Sequence, residues 1–76
     1  MFFLYPVFLK SNVTEGSSED FEMLDSDYQE MLDHIGEEAR IVGVACDMGD
    51  QEFNYYDIEF NDGFEIEAIQ GHHLEF

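Results

Sequence analysis

Tyr55-Tyr56-Asp57-Ile58-Glu59-Phe60-Asn61-Asp62-Gly63-Phe64-Glu65-Ile66-Glu67 is the stretch that decides the fold. Apolar and acidic residues alternate on both sides of a polar trio, the pattern of two half-buried strands joined by a turn. A three-residue loop, Asn61 to Gly63 with the glycine in the left-handed conformation, closes such a hairpin. It pairs Phe60 with Phe64, Glu59 with Glu65, Ile58 with Ile66 and Asp57 with Glu67, keeping every apolar residue on one face. A two-residue loop would set Glu59 against Ile66 and mix the faces. The expected hairpin therefore has a core face and an outer face carrying Asp57, Glu59, Glu65 and Glu67.

On the N-terminal side, residues 53–60 complete one strand, Met48-Gly49-Asp50 marks a turn, and the β-branched and small residues 40–46 form another strand. Residues 2–9 are an apolar and aromatic run closed by Lys10. Pro6 cannot donate to a ladder, so it points to an edge or a bulge in that first strand. Residues 11–18 read as a loop delivering Ser17 or Ser18 as a helix cap. Over residues 19–35, Phe21, Leu24, Tyr28, Met31, Leu32 and Ile35 share one helical stripe at about 100° per residue. Gly36 stops that helix. On its opposite side stand Glu19, Glu22, Glu30, Asp33 and Glu37, almost without basic neighbours for i,i+4 pairing. Residues 72–76 either extend the hairpin or add a short strand.

The expected fold is therefore α+β, in the order β-α-β-β-β, a mostly antiparallel sheet with one helix packed on one face. Seventy-six residues make one domain, 1–76, because a chain this short buries only about 60% of its unfolded surface. With 45% hydrophobic residues, eight of them Phe, it has the material for a core that acidic disordered tails lack.

Charge dominates the composition: nineteen acids against Lys10 and Arg40 give a formal net of -17, against a magnitude of about 2 to 8 for ordinary small domains. Such an excess repels itself and destabilises the compact state unless something compensates. The outer hairpin face would bring carboxylates about 5 Å apart across strands and about 6.6 to 6.8 Å apart along them, a spacing of the same order as nucleic-acid phosphates. Asp47, Asp50, Glu52 and Asp62 in the turns extend this surface, and Tyr55 on the outer face offers an aromatic contact. A solvated acidic face is the plain alternative. The clean segregation of acids from apolar residues on both helix and hairpin argues for a located surface facing a basic partner.

A short chain bearing the paired acids Asp57, Glu59, Glu65 and Glu67 plus an acidic helix resembles the phage-encoded DNA-mimic inhibitors, by charge, size and architecture rather than by motif. Among these are Bacillus phage inhibitors of the histone-like nucleoid protein HU, with anti-restriction, anti-CRISPR and RNA-polymerase inhibitors as relatives in strategy. The resemblance implies a basic DNA-binding partner, a nucleoid-associated protein, RNA polymerase or a defence nuclease, in the bacterial cytoplasm, with no direct binding of nucleic acid. Residues 55–63 are also similar to the hairpin of small SH3-like or Tudor-like barrels, modules that bind peptides or modified side chains, although a helix between the first two strands departs from the simplest of them.

Other chemistries find little footing. His34, His72, His73 and Cys46 lack a zinc spacing. Asp25-Ser26-Asp27 begins like a calcium loop, but the sixth position is Glu30 instead of glycine. No phosphate-binding loop or nucleophile elbow occurs, and Cys46 between apolar neighbours reads as a core residue. No enzyme, cofactor or metal is expected. One cysteine excludes an internal disulfide and fits a reducing compartment, and residues 1–9 are too short to span a bilayer.

Overall fold

A computed structural model describes residues 5–76; the expected start of the first strand, at Phe2, lies outside them. Strand β1 (Tyr5–Leu9) leads through a 3-10 turn (Ser11–Glu15) to helix α1 (Asp25–Asp33), followed by β2 (Glu38–Cys46), β3 (Tyr55–Phe60) and β4 (Glu65–Gln70). A second 3-10 turn (Gly71–His73) then delivers the short β5 (Leu74–Glu75). All pairings are antiparallel, in the order β4-β3-β2-β1-β5. The fold is α+β, and the C-terminal residues do add a short strand.

At its tip the central hairpin has the register read from the sequence. Phe60 N–H donates to Phe64 O at 2.8 Å and Gly63 N–H to Phe60 O at 3.0 Å, with Gly63 at φ 92. Glu59 pairs with Glu65 and Ile58 with Ile66. One step further the register departs from expectation: Asp57 and Glu67 are not paired, and Tyr56 lies opposite Ile69. Ile66 and Ile69 are both buried, yet residues three apart on a period-2 strand face opposite ways. A bulge at Glu67-Ala68 resolves the conflict. Ala68 takes the left-handed conformation at φ 56, and its N–H donates to Asp57 Oδ1 at 3.0 Å.

The helix is shorter than the stripe over residues 19–35 implies. Side chains of Ser17 and Ser18 bond to Asp20 and Asp25, and Ser17 N–H donates to Asp20 Oδ2 at 2.9 Å; local bonds of this kind compete with helix propagation. Residues 17–22 make a separate turn. It ends at Glu22, φ 55, where Glu22 N–H reaches Glu19 O and Met23 N–H reaches Ser18 O, the bond pair of a Schellman stop. α1 then restarts with Leu24 as an N-cap without a side-chain bond, so neither serine caps it in the expected way. Leu24, expected in the core stripe, is 70% exposed. Tyr28 and Met31 are buried, and Phe21, Leu32 and Ile35 pack partly against the core. The helix ends at Asp33 with His34 as its C-cap, before the expected stop at Gly36, which turns the chain at φ 84.

The sheet must curl. Four neighbour steps of about 4.8 Å would set β4 and β5 about 19 Å apart in a flat sheet, whereas the four residue steps from Gln70 to Leu74 reach at most about 14 Å extended and about 8 Å as 3-10 helix. Bulges in β2, at Val42 and Ala45 opposite β3, bend the strand that takes the curvature. Pro6 lies where β1 pairs with β2 alone, since β5 reaches only Phe8 and Leu9. Inside the curl sit Val7, Leu9, Ala39, Tyr56, Ile58, Phe60, Ile66, Ile69 and Leu74, with Val13, Tyr28 and Met31 closing one side. Beyond the first bulge β2 leaves this core, so Cys46 is exposed, contrary to its reading as a core residue. Gly71 is the tightest point: a Cβ there would stand 1.9 Å from the carbonyl oxygen of Gln51.

Candidate functional site

The acids fall into two groups by what their carboxylates already do. Asp47 Oδ1 accepts Gly49 N–H, Asp50 Oδ1 accepts Glu52 N–H and Asp62 Oδ1 accepts Phe64 N–H, so each builds the turn that holds it. Asp57 supports the β4 bulge. In contrast, Glu19, Glu22, Glu30, Asp33, Glu52, Glu65 and Glu67 are exposed and make no side-chain hydrogen bond or ion pair among the described residues. Tertiary function, if it uses carboxylates, has this second group available.

Across the outer face, Arg40 of β2, Glu59 of β3 and Glu65 of β4 stand in one row. The face is therefore not free of basic residues as expected: Arg40 Nη2 lies 3.4 Å from Glu59 Oε1, each side chain more than a third exposed. Such a pair contributes about 0 to 1 kcal/mol. It shields Glu59 on one side and leaves Glu65 facing solvent. Val42, also on this side, borders a shallow depression with Asp57, Glu65 and Glu67.

Glu67 joins the two acidic rows that the sequence presents separately. At the bulge of edge strand β4, it borders both the hairpin depression and a groove lined by Ser18, Glu19, Glu22, Leu24 and Asp27. Hairpin acids thus continue into the acids of the turn before α1. Glu30 and Asp33 follow along α1, while Asp47, Asp50 and Glu52 stand apart in the β2–β3 turn. Tyr55 is half-buried and does not stand on the open acidic face as expected. It lines a cleft of about 510 Å³ with Asp20, Phe21 and Glu22 on one wall and Glu67 and Ala68 on the other.

A buried imidazole lies beneath the hairpin tip. His34, 5% exposed, has Nδ1 2.7 Å from Glu30 O and Nε2 2.8 Å from Asp62 Oδ2. Both partners are acceptors, so the doubly protonated ring is the form that satisfies both contacts. Burial opposes that charge, but the Glu30 carbonyl, the Asp62 carboxylate and more distant Glu37 outweigh it and hold the pKa above its ordinary value. The rings of Phe60 and Phe64 pack against it at centroid distances of 4.5 and 4.8 Å, Phe64 stacked and Phe60 tilted, and the helix C-terminus favours a cation there. Phe64 N–H, then His34, lower the pKa of Asp62. Sequence reasoning weighed His34 only as a metal ligand; its place one residue beyond an acidic helix was the available signal for an ion pair.

His73 behaves oppositely. Burial, with His72 and Lys10 nearby, pushes it down to about 4, and its Nδ1 lies 3.0 Å from Asn12 Oδ1. No helix among the described residues is long and apolar enough to cross a membrane. No protein-family model matches the chain, and no curated protein and no solved structure matches it either.

Proposed function

We propose that the chain is an acidic DNA-mimic inhibitor that occupies the DNA-binding surface of a basic protein and blocks DNA binding by occlusion. An HU-type nucleoid-associated protein in the bacterial cytoplasm is the first candidate. The observation that carries this reading is the continuity of the acidic band: Glu59 and Glu65 face each other across strands, and Glu67 extends them to Glu19, Glu22 and Asp27. Among the described residues, Arg40 is the one basic side chain paired with it. Like charges opposite one another are unfavourable in a sheet, and a partner's Lys and Arg side chains relieve that cost. Carboxylates then take the charge-assisted bonds that phosphates would otherwise receive, and released counterions make the complex salt dependent.

Competition tests it. The chain should displace duplex DNA from its partner, and the triple variant Glu59→Gln, Glu65→Gln, Glu67→Gln should weaken displacement by about a hundred-fold while retaining the far-UV spectrum. Undiminished displacement would remove this band from the interface. The curled sheet favours a second reading, an SH3-like or Tudor-like interaction adaptor, consistent with the likeness of residues 55–63 to such hairpins. An adaptor would leave DNA on its partner, so a ternary complex would decide for it.

A further inference from the structure

The cleft between the turn before α1 and the edge of β4 differs from the open acidic band, because its walls are aromatic as well as acidic. Phe21 and Tyr55 line it with Glu22 and Glu67. Its remaining polar lining, Asp20, Gln70 and His73, adds further acceptors. Gln70 Nε2 donates one of its N–H groups to Phe53 O at 3.3 Å, and the amide oxygen remains an acceptor. Asn12 Nδ2 donates to His72 O at 2.9 Å, so its oxygen receives His73 Nδ1–H, and His73 Nε2 keeps its lone pair.

We propose that this cleft receives the guanidinium group of one arginine side chain projecting from a basic partner. A guanidinium offers five N–H donors and no acceptor, lies flat against aromatic faces and pairs with carboxylates in a fixed fork. These are the complements of the cleft's acceptors, rings and acids. An ammonium would satisfy the charge but not the planar stacking. His73 lining the cleft does not oppose a cation, since its depressed pKa of about 4 keeps it neutral at physiological pH. Glu22 and Ala68, both left-handed at φ 55 and φ 56, fix opposite walls, so the cleft is set by backbone conformation rather than by mobile side chains alone. This inference rests on the partner being basic, and it names the kind of side chain the partner contributes.

The probe is a set of three acetylated and amidated tripeptides, Gly-X-Gly with X as arginine, lysine or citrulline, titrated into the whole chain by two-dimensional amide NMR. Arginine should shift the resonances of Phe21, Tyr55, Ala68 and His73 in preference to the hairpin tip, bind more tightly than lysine, and bind about ten-fold or more tightly than uncharged citrulline. Two variants, Glu22→Gln with Glu67→Gln and, separately, Tyr55→Leu, should each weaken the arginine peptide. Equal affinity for arginine and citrulline, shifts confined to the open band, or unchanged affinity in both variants would overturn the proposal. Arginine binding without displacement of DNA would uphold the cleft and refute the mimic; displacement with a silent cleft would do the reverse.

Discussion

Ala68 holds a left-handed backbone at φ 56, which costs an L-residue with a Cβ about 1 to 2 kcal/mol. It keeps this conformation because the bulge buries both Ile66 and Ile69, worth about 1.5 to 3 kcal/mol for each side chain kept out of water. Glycine would relieve the strain and lose about 0.5 to 1 kcal/mol through the freedom of the unfolded chain. The relief is the larger effect. Ala68→Gly should therefore stabilise the fold by about 0.5 to 1 kcal/mol in urea unfolding; a loss of stability would show that the bulge conformation is not what limits this position.

At the scale of elements, α1 and the β3–β4 hairpin are tied by His34 and Asp62. The raised pKa of His34 means that its contribution is complete below its ordinary 6.5 and disappears as pH rises through the folded value. The lowered pKa of Asp62 means that its contribution is present above 3.8 and disappears as pH falls through the folded value. The stability lost in Asp62→Asn should then be greatest between these limits and shrink on raising the pH above 6.5. His73, neutral down to about 4, destabilises the folded state as pH falls below 6.5, but it does so in both proteins and cancels. Parallel stability curves from about pH 6 to about pH 9 would contradict an ion pair at this contact.

These elements also show how far sequence patterns reach. The hairpin register was legible at its tip because a three-residue turn and a period of two specify the same pairing there. It failed at Asp57 because a bulge adds a residue without changing composition; the Ile66-to-Ile69 spacing was the only trace. The stripe over residues 19–35 located Tyr28 and Met31 correctly and misplaced Leu24, since side-chain bonds of Ser17, Ser18 and Asp20 end a turn that periodicity would continue. The Glu59–Glu65 pair was legible. Arg40 beside it and the junction at Glu67 were not, because both depend on which strands become neighbours.

For the whole molecule, the question is whether the formal charge of -17 stabilises anything within the chain. Among the described residues, Arg40 supplies one ion pair, with Glu59, and His34 meets the carboxylate of Asp62. Most of the acidic side chains in the band have no such partner, so their mutual repulsion opposes folding. Raising ionic strength from about 0.01 M to about 0.15 M shortens the Debye length from about 30 Å to about 8 Å, which spans the 33 × 26 × 18 Å molecule in the first condition and only neighbouring charges in the second. The melting temperature should accordingly rise with sodium chloride. Partner affinity should fall over the same range, since each counterion released into a more concentrated bulk gains less entropy. The two slopes have opposite signs only if the charge serves an external surface. A melting temperature that falls with salt would mean that internal ion pairs dominate, and the acidic band would then be a structural feature of the fold.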